Sequence, residues 1–255
     1  MRRRFLLTIS YDGSGYFGWQ GQRKADQPTV EEALVKAMEA FFRQPITLLA
    51  ASRTDRGVHA LGQRAAFWAD TTVPAEKIPL ALYAYLPEDI SVTEALEIGP
   101  EFHPRYQCTW KIYEYRIYNA PYRNPLNRKY AEFNHNKLDI LKMQEAAEVL
   151  VGEHDFKAFC ASGNTHKTTI RTIYDIEVLP REGHEIVIRV KGNGFLYNMV
   201  RIIAGTLMMV GEGKISKEAL RQILESRDRT KAGKTAGPNG LTLVQIYYEN
   251  LGKGC

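Results

Sequence analysis

The sequence predicts an α+β protein built from two halves of similar order. The chain has 255 residues, of which 44% are hydrophobic and 25% are charged, which is typical of a globular protein with a substantial core. Patterns typical of strands and helices follow one another in a comparable order in both parts of the chain. We therefore expect an N-terminal half over residues 1–104 and a C-terminal half over residues 105–255.

The first half is predicted to run strand, helix, strand, strand, helix, strand. Its first helix is the clearest element, because Thr29 and Glu32 have the spacing of a capping box. Apolar residues then follow at intervals of three and four until Pro45 ends the pattern. Strands are predicted over residues 5–10, 46–51, 63–69 and 90–98, and a second helix over residues 74–85.

The second half begins with a predicted strand over residues 108–118, whose side chains alternate between two faces. One of these faces carries Lys111, Tyr113, Tyr115 and Ile117. The patterns further predict helices over residues 138–151, 195–210 and 216–225, strands over residues 172–179, 185–191 and 241–248, and a long loop over residues 154–170. This order loosely repeats that of the first half.

A polar stretch follows the apolar run that ends near residue 51. In it, Asp55 stands between Arg53 and Arg56, on a turn that Gly57 can bend. A lone aspartate at the end of a strand is commonly only a turn residue. The two arginines, however, favour an ionised carboxylate and attract a polyanion. At this point Asp55 is either a turn residue or a catalytic carboxylate.

A loop rich in glycine and aromatic residues occupies residues 11–22. It lacks the lysine and the spacing of a phosphate-binding P-loop, which excludes that site. Two interpretations remain open: a turn packed on its own aromatic rings, or a loop that contacts nucleic acid by stacking.

The helix predicted over residues 195–210 is apolar nearly all round, which indicates burial, and Arg201 lies in its middle. A buried guanidinium is costly without a carboxylate partner, since it cannot lose its proton. Either its side chain reaches the surface, or it pairs with a fixed anion. Asp55 is a candidate for that anion.

Other chemistries find little support in the sequence. No nucleophile elbow GxSxG is present. His59 follows Asp55 by four residues, but no HExxH pattern or Cys/His cluster accompanies it, so we expect no metal site. A glycosidase-type pair would need a second acid beside Asp55, for which Asp12 is a candidate that the sequence does not place nearby.

Charge and cysteine content favour a cytoplasmic protein. The net charge of +5 and the pI near 9.0 permit a nucleic-acid partner. Cys108, Cys160 and Cys255 are widely spaced and form no disulfide framework or CxxC site, which is typical of a reducing compartment. We expect no signal peptide, because the apolar stretch near the N-terminus is short, and no membrane-spanning segment, because even residues 195–210 are too short to cross a bilayer.

Five stretches together resemble one family. Ser52-Arg-Thr-Asp-Arg-Gly-Val-His-Ala resembles the catalytic motif of the tRNA pseudouridine synthase A family. Similar stretches occur in family order at residues 11–22, 111–119, 192–205 and 240–244, so that the resemblance covers nearly the whole chain. The chain departs from the family pattern at Ser52, at Arg56 and at Gly237-Pro238, where the proline comes one place later than usual.

The resemblance implies a fold and a set of roles. The fold would consist of two ferredoxin-like α/β-sandwich halves, whose mainly antiparallel sheets join into one extended sheet around a central RNA-binding cleft. Asp55 would be the nucleophile, attacking either C6 of the uracil or C1′ of the ribose, and Arg201 would pair with it. Tyr113 would stack on the target uracil and take the proton from C5.

The resemblance also assigns Arg53 to opening the site or holding a phosphate, and Leu241 or Leu243 to an apolar wall of the base pocket. The implied reaction isomerises uridine to pseudouridine in the anticodon stem-loop of tRNA, at positions 38, 39 and 40. It exchanges no electrons or atoms, so no cofactor or metal is expected. The implied assembly is a homodimer in which one tRNA contacts both subunits. The alternative is a catalytically silent module that binds tRNA or assists RNA folding.

Overall fold

The structure is a computed structural model and describes residues 1–20, 27–163, 168–249 and 251. Helices and mainly antiparallel strands alternate along the chain, which confirms the predicted α+β class. The chain packs as two compact units, Met1–Thr109 with Leu243–Cys255, and Trp110–Thr242. The joining of the two sheets, the central cleft and the boundary after residue 104 stay predictions.

The first unit begins with a long strand, and its helices alternate with further strands. Its elements in chain order are β1 (Arg2–Tyr11), α1 (Val30–Phe42), β2 (Leu49–Ala50), β3 (His59–Asp70), α2 (Ile78–Tyr83) and β4 (Ile90–Glu97).

The second unit begins with the predicted tyrosine strand and contains the longest apolar helix. Its elements are β5 (Trp110–Asn119), β6 (Glu132–Asn134), α3 (Ile140–Ala147), β7 (Gly152–Asp155), β8 (Ile170–Arg181), β9 (Glu185–Gly192), α4 (Met199–Gly211) and α5 (Lys217–Ser226). The last strand of the chain is β10 (Leu241–Tyr247), of which the part from Leu243 belongs to the first unit.

Strand order in each unit follows from antiparallel pairing. In the first unit the order is β4-β1-β3-β10, and β2 pairs with β3. In the second unit the order is β5-β9-β8-β7, with β6 beside β5 in a parallel pairing. Apolar faces of both sheets are buried, with Phe5, Leu7 and Phe67 at most 1% exposed in the first unit and Tyr115 and Ile188 fully buried in the second.

Helix α1 forms for the reason that the sequence indicated. The hydroxyl of Thr29 accepts from the backbone N–H of Glu32 at 3.2 Å, and the Glu32 carboxylate accepts from the N–H of Thr29 at 2.8 Å. The helix ends at Arg43, whose φ of 54° is left-handed, before Pro45 is reached. The predicted capping box is thus confirmed.

Three predicted elements need correction. The strand expected over residues 46–51 is limited to Leu49–Ala50, and the helix expected over residues 195–210 begins only at Met199. The later start has a local cause, since Asn198 at the N-cap has a left-handed φ of 59° and interrupts the helical backbone. The loop expected over residues 154–170 starts with β7 and a 3-10 helix, Phe156–Phe159, and its residues 164–167 lie outside the described part.

Among the described residues, no helix combines the length and the apolar character needed to cross a lipid bilayer.

Candidate active site

Asp55 opens a tight turn at the surface of the first unit. Its backbone carbonyl accepts from the N–H of Val58 at 3.1 Å, and Gly57 has the left-handed φ of 76° that this turn requires. Asp55 itself is partly exposed, whereas Arg53 and Arg56 are exposed. The turn therefore places a partly exposed aspartate between two exposed arginines along the chain.

The loop that is rich in glycine and aromatic residues contacts the backbone of this turn. We call residues 12–19 the supporting loop. The N–H of Trp19 donates to the carbonyl of Thr54 at 3.0 Å, and the N–H of Gly57 donates to the carbonyl of Tyr16 at 3.4 Å. These two contacts lie on either side of Asp55. The loop thus packs on the Asp55 turn, a role that neither earlier interpretation included; Gly21 and Gln22 lie outside the described residues.

Gly18 allows the two segments to approach this closely. Its φ is 84°, and a Cβ placed there would lie 2.6 Å from the carbonyl oxygen of Thr54. A side chain at this position would meet both backbone strain and a steric overlap with the Asp55 turn. Glycine is therefore required by the packing of the supporting loop.

Buried side chains add further hydrogen bonds to the turn. The hydroxyls of Tyr11 and Thr54 lie 2.7 Å apart in a buried contact. Gln63 of β3 is fully buried and donates to the carbonyl of Ser52 at 2.8 Å. The backbone before Asp55 is consequently held at two carbonyl groups, that of Ser52 by Gln63 and that of Thr54 by the N–H of Trp19.

Asp12 takes part in this packing as a capping residue. Its Oδ1 accepts from the N–H of Ser14 at 2.9 Å and lies 3.2 Å from Nδ1 of His59. The same ring nitrogen accepts from the N–H of Gly13 at 3.1 Å. Asp12, the candidate second acid, therefore caps the 3-10 turn Gly13–Gly15.

Arg53 interacts electrostatically with Glu31 of helix α1. Burial raises the pKa of the Glu31 carboxyl, while the positive charge of Arg53 and a hydrogen bond from Gln20 act in the opposite direction. Arg53 is thus an exposed cation with a carboxylate in its electrostatic neighbourhood. The departure Arg56 has a different neighbour, since its guanidinium lies 5.3 Å from the ring centre of Phe17 in the supporting loop.

Tyr113 lies on the regular part of the second unit. It is paired with Val190 across the β5–β9 ladder and shares the buried face of β5 with Tyr115 and Ile117, as predicted. Its ring contacts Phe195 edge-on, with 5.2 Å between ring centres and an interplanar angle of 83°. Tyr113 is 6% exposed, so only a small part of it reaches solvent in the isolated chain.

Arg201 lies in the first turn of α4, so the prediction that it lies in mid-helix is wrong. The helix begins at Met199, and Arg201 is of intermediate exposure. Its Nε donates to the carbonyl of Ala236 and its Nη1 to Oδ1 of Asn198, both at 2.7 Å. These two bonds fix the direction of the guanidinium.

The segment that holds Arg201 packs very closely on α4. A Cβ at Gly205 would overlap the carbonyl oxygen of Lys234, and the N–H of Gly233 donates to the Thr206 hydroxyl at 2.9 Å. In addition, the N–H of Ala236 donates to the carbonyl of Arg201 at 3.2 Å. Residues 233–236 therefore form a fixed support for the first turn of α4.

The departure at Gly237-Pro238 has a structural role. Pro238 begins a 3-10 helix, Pro238–Gly240, where a missing N–H is tolerated. The carbonyl of Gly237 accepts from the Tyr115 hydroxyl at 2.9 Å. Burial raises the pKa of the Tyr115 phenol above its ordinary value, which keeps the phenol protonated as a donor.

The two candidate leucines of β10 are both buried. Leu241 is 6% exposed and Leu243 is fully buried. They stand two residues apart on the strand and therefore share a face.

The predicted site residues are divided between the two units. Asp55, Arg53 and Leu243 belong to the first, whereas Tyr113, Arg201 and Leu241 belong to the second. The ion pair between Asp55 and Arg201 stays a prediction. Within the described part of the chain, no group of three or more His, Cys, Asp or Glu side chains has a geometry that could hold a metal ion.

Sequence reasoning missed the residues that support the turn. Tyr11, Gly18, His59 and Gln63 were not assigned this role, although two signals were available. The glycines of the loop indicated close backbone approaches. His59 lay four residues after Asp55 but was considered only as a metal ligand.

Comparison with known proteins identifies the family. A family model described as tRNA pseudouridine synthase matches residues 7–107 and 146–249, which is most of the chain. The chain belongs to the tRNA pseudouridine synthase family. Asp55 lies in the first matched range and Arg201 in the second, while Tyr113 falls between them. The predicted family and the predicted enzyme class, an isomerase, are confirmed.

Curated relatives carry the name tRNA pseudouridine synthase A. The protein of Caldicellulosiruptor bescii is 48% identical over 248 residues, covering 96% of this chain and 100% of the relative. That of Thermoanaerobacter sp. (strain X514) is 47% identical over 246 residues, with the same coverage. Among solved structures, a Cbf5-Nop10-Gar1 complex aligns at a TM-score of 0.38 and 15% identity, over 93% of this chain and about half (51%) of the other.

Proposed function

We propose that this synthase isomerises uridine to pseudouridine in tRNA, with Asp55 as the nucleophile. The observation that carries the proposal is a partly exposed aspartate, on a turn whose backbone is held on both sides, within a segment that matches the family. A carboxylate on a backbone held in this way suits nucleophilic attack, because the turn needs little rearrangement when the substrate binds.

The reaction needs a nucleophile and a proton acceptor. The N1–C1′ bond of uridine breaks, the base turns, and a bond from C5 to C1′ forms; one proton leaves C5 and one is taken up at N1. Asp55 can attack C6 of the uracil or C1′ of the ribose, and both routes fit this account. Tyr113 stacks on the uracil, and its hydroxyl takes the proton from C5. No atom is gained or lost, so the isomerisation itself requires no cofactor.

The charged residues have separate roles in the proposal. Arg201 pairs with Asp55 and keeps its carboxylate ionised, which agrees with a guanidinium already oriented by Ala236 and Asn198. Arg53 is exposed and holds a phosphate of the RNA or helps to open the site.

The target base must leave its stack to reach the carboxylate. Flipping a base costs a few kcal/mol, which contacts to cationic and aromatic side chains offset. Leu241 is the better candidate than Leu243 for the apolar wall of the base pocket, because Leu243 has no exposed surface.

The substrate positions, the assembly and the location also belong to the proposal. The modified uridines are those at positions 38, 39 and 40 of the anticodon stem-loop. The enzyme is a cytoplasmic homodimer in which one tRNA contacts both subunits.

The test is a map of pseudouridines in tRNA from cells with and without the gene, followed by treatment of the unmodified tRNA with the purified protein. We expect pseudouridine at positions 38–40 to disappear without the gene and to return on treatment. Unchanged maps would contradict the proposed function. Modification elsewhere in tRNA would retain the reaction and correct the positions.

A further inference from the structure

We propose that His59 is a positioning residue for Asp55. It acts by accepting a hydrogen bond from the N–H of Gly13, and so fastens the supporting loop to the Asp55 turn. The inference rests on the proposed function, because it assumes that Asp55 is the nucleophile. It adds a residue whose role is to hold the backbone of the turn and not to react.

The contact between His59 and Gly13 is buried and closely packed. The Gly13 N–H lies 3.1 Å from Nδ1 of His59, and the histidine is only 5% exposed. A Cβ at Gly13 would overlap the carbonyl oxygen of Val58, the residue before His59. The 3-10 turn Gly13–Gly15 therefore lies directly against the end of the Asp55 turn.

The hydrogen bond from Gly13 requires one tautomer of the ring. A backbone N–H can only donate, so Nδ1 accepts this bond only while the ring proton lies on Nε2. Oδ1 of Asp12 also lies 3.2 Å from Nδ1 and accepts from Ser14. A proton on Nδ1 would leave the buried N–H of Gly13 without this acceptor, which is unfavourable.

The hydrogen bond between Gly13 and His59 is one of several contacts that hold the backbone on both sides of Asp55. On one side, the N–H of Trp19 donates to Thr54, and on the other the N–H of Gly57 donates to Tyr16. The middle of the supporting loop is anchored as well, since the Tyr16 hydroxyl donates to Asp89 at 2.6 Å. His59 adds the tie at the C-terminal end of the turn, where the chain enters β3. It is shorter than the other backbone hydrogen bond at this end, from Gly57 to Tyr16.

The first test compares three substitutions of His59. His59→Asn keeps an acceptor oxygen near the place of Nδ1, His59→Gln moves the same amide towards the place of Nε2, and His59→Leu removes the acceptor. We expect His59→Leu and His59→Gln to lower the single-turnover rate at saturating tRNA by ~10-fold to ~100-fold, because small misplacements of a reacting group have effects of this size. His59→Asn should recover most of that rate, with the tRNA dissociation constant nearly unchanged in all three.

The second test uses two glycines of the same turn. Gly13→Ala forces the supporting loop away from Val58, whereas Gly15→Ala meets no atom closer than 3.9 Å and serves as the matched control. Amide hydrogen exchange on the whole protein reports on the backbone without depending on activity. We expect faster exchange at Gly57 and Trp19 in His59→Leu and Gly13→Ala, and wild-type exchange in Gly15→Ala and His59→Asn.

Two results would overturn the proposal. One is a His59→Leu protein with the wild-type rate and wild-type exchange. The other is equal rates for His59→Asn and His59→Gln, since a merely space-filling role would not distinguish the two amides. A wild-type protein that forms no pseudouridine would refute the proposed function instead, while the exchange measurements would still decide whether His59 holds the turn.

Discussion

The two parts of the candidate site are built in different ways. Asp55 lies on an irregular turn, whose geometry depends on contacts with a distant stretch of chain, residues 12–19. Tyr113 and Arg201 lie on a regular strand and in the first turn of a helix. The comparison teaches that the turn of the proposed nucleophile depends on tertiary contacts. The backbones of Tyr113 and Arg201 are set by secondary structure, and the Arg201 guanidinium is directed in addition by Asn198 and Ala236.

The difference has an energetic consequence. A residue in a sheet or helix is kept in place by repeated backbone hydrogen bonds, so the loss of one contact changes its position little. The Asp55 turn relies on a few specific contacts, several of which require glycine. Substitutions around the turn should therefore change both the reaction rate and the local order of the backbone. A substitution on the regular elements should instead change either the reaction rate or the unfolding free energy, but not both.

Apart from Asp55 itself, the largest effect is expected from Tyr113→Phe, which keeps the ring but removes the hydroxyl. If this hydroxyl takes the proton from C5, the single-turnover rate should fall by roughly 10²-fold to 10⁴-fold, the usual range for general acid–base catalysis. The affinity for tRNA should change little, because the stacking surface remains. Rapid-quench measurements at saturating tRNA report the rate.

Tyr115→Phe is the matched control on the same face of β5. It removes a hydrogen bond to Gly237 and should cost about 1 kcal/mol of unfolding free energy, with the rate nearly unchanged. A wild-type rate for Tyr113→Phe would show that its hydroxyl is not the proton acceptor. The difference in role that we assign to the two tyrosines would then be refuted.

The next effect is expected from Gly18→Ala in the supporting loop. The left-handed φ and the overlap with Thr54 should lower the unfolding free energy by roughly 2 kcal/mol and also slow the reaction. Urea unfolding and the single-turnover rate measure the two effects. Gly99→Ala is the control, since a Cβ there meets nothing within 4 Å. Equal stability and equal rates for the two variants would refute the close packing that we assign to Gly18.

The smallest effect is a dependence of stability on pH that arises at the C-terminal end of α4. Burial alone would raise the pKa of Glu212, but hydrogen bonds from Lys214, Asn134 and Asn136 outweigh it and lower the pKa to about 2. A carboxyl whose folded pKa is depressed contributes stability above its unfolded value near 4.5, and this contribution is lost as the pH falls towards 2.

Glu212→Gln should therefore be less stable than the wild type by about 1–2 kcal/mol at pH 7. The difference should stay constant down to about pH 5 and shrink below it. Urea unfolding at several pH values measures it. A difference that does not change between pH 7 and pH 3 would contradict the assignment.

The sequence predicted the regular elements well because their signals are local. The capping box of Thr29 and Glu32 and the alternation around Tyr113 depend only on neighbours along the chain, and both are confirmed. The late start of α4 could not be predicted from apolar periodicity, because it depends on the left-handed backbone of Asn198. Arg201 was consequently placed in mid-helix, although it lies in the first turn.

The contacts that support the Asp55 turn could not be predicted from the sequence, for a different reason. The contacts of Thr54 with Tyr11 and Trp19 join residues more than 30 positions apart, and no periodic pattern encodes such pairs. The family resemblance implied a catalytic role for Asp55, but it implied no role in holding the turn for the loop over residues 12–19. The geometry of His59 and Gly13 became apparent only when the two segments were seen together.

The central claim is that the carboxylate of Asp55 carries out the reaction. Asp55→Asn keeps the size and the turn of this residue but removes its charge, and Asp70→Asn, an exposed aspartate at the end of β3, is the matched control. The measurement is pseudouridine formed in unmodified tRNA under single-turnover conditions, with tRNA binding measured in parallel. We predict that Asp55→Asn forms none while binding tRNA with an affinity close to that of the wild type, and that Asp70→Asn behaves as the wild type. Pseudouridine formation by Asp55→Asn at a rate comparable to the control would contradict the account.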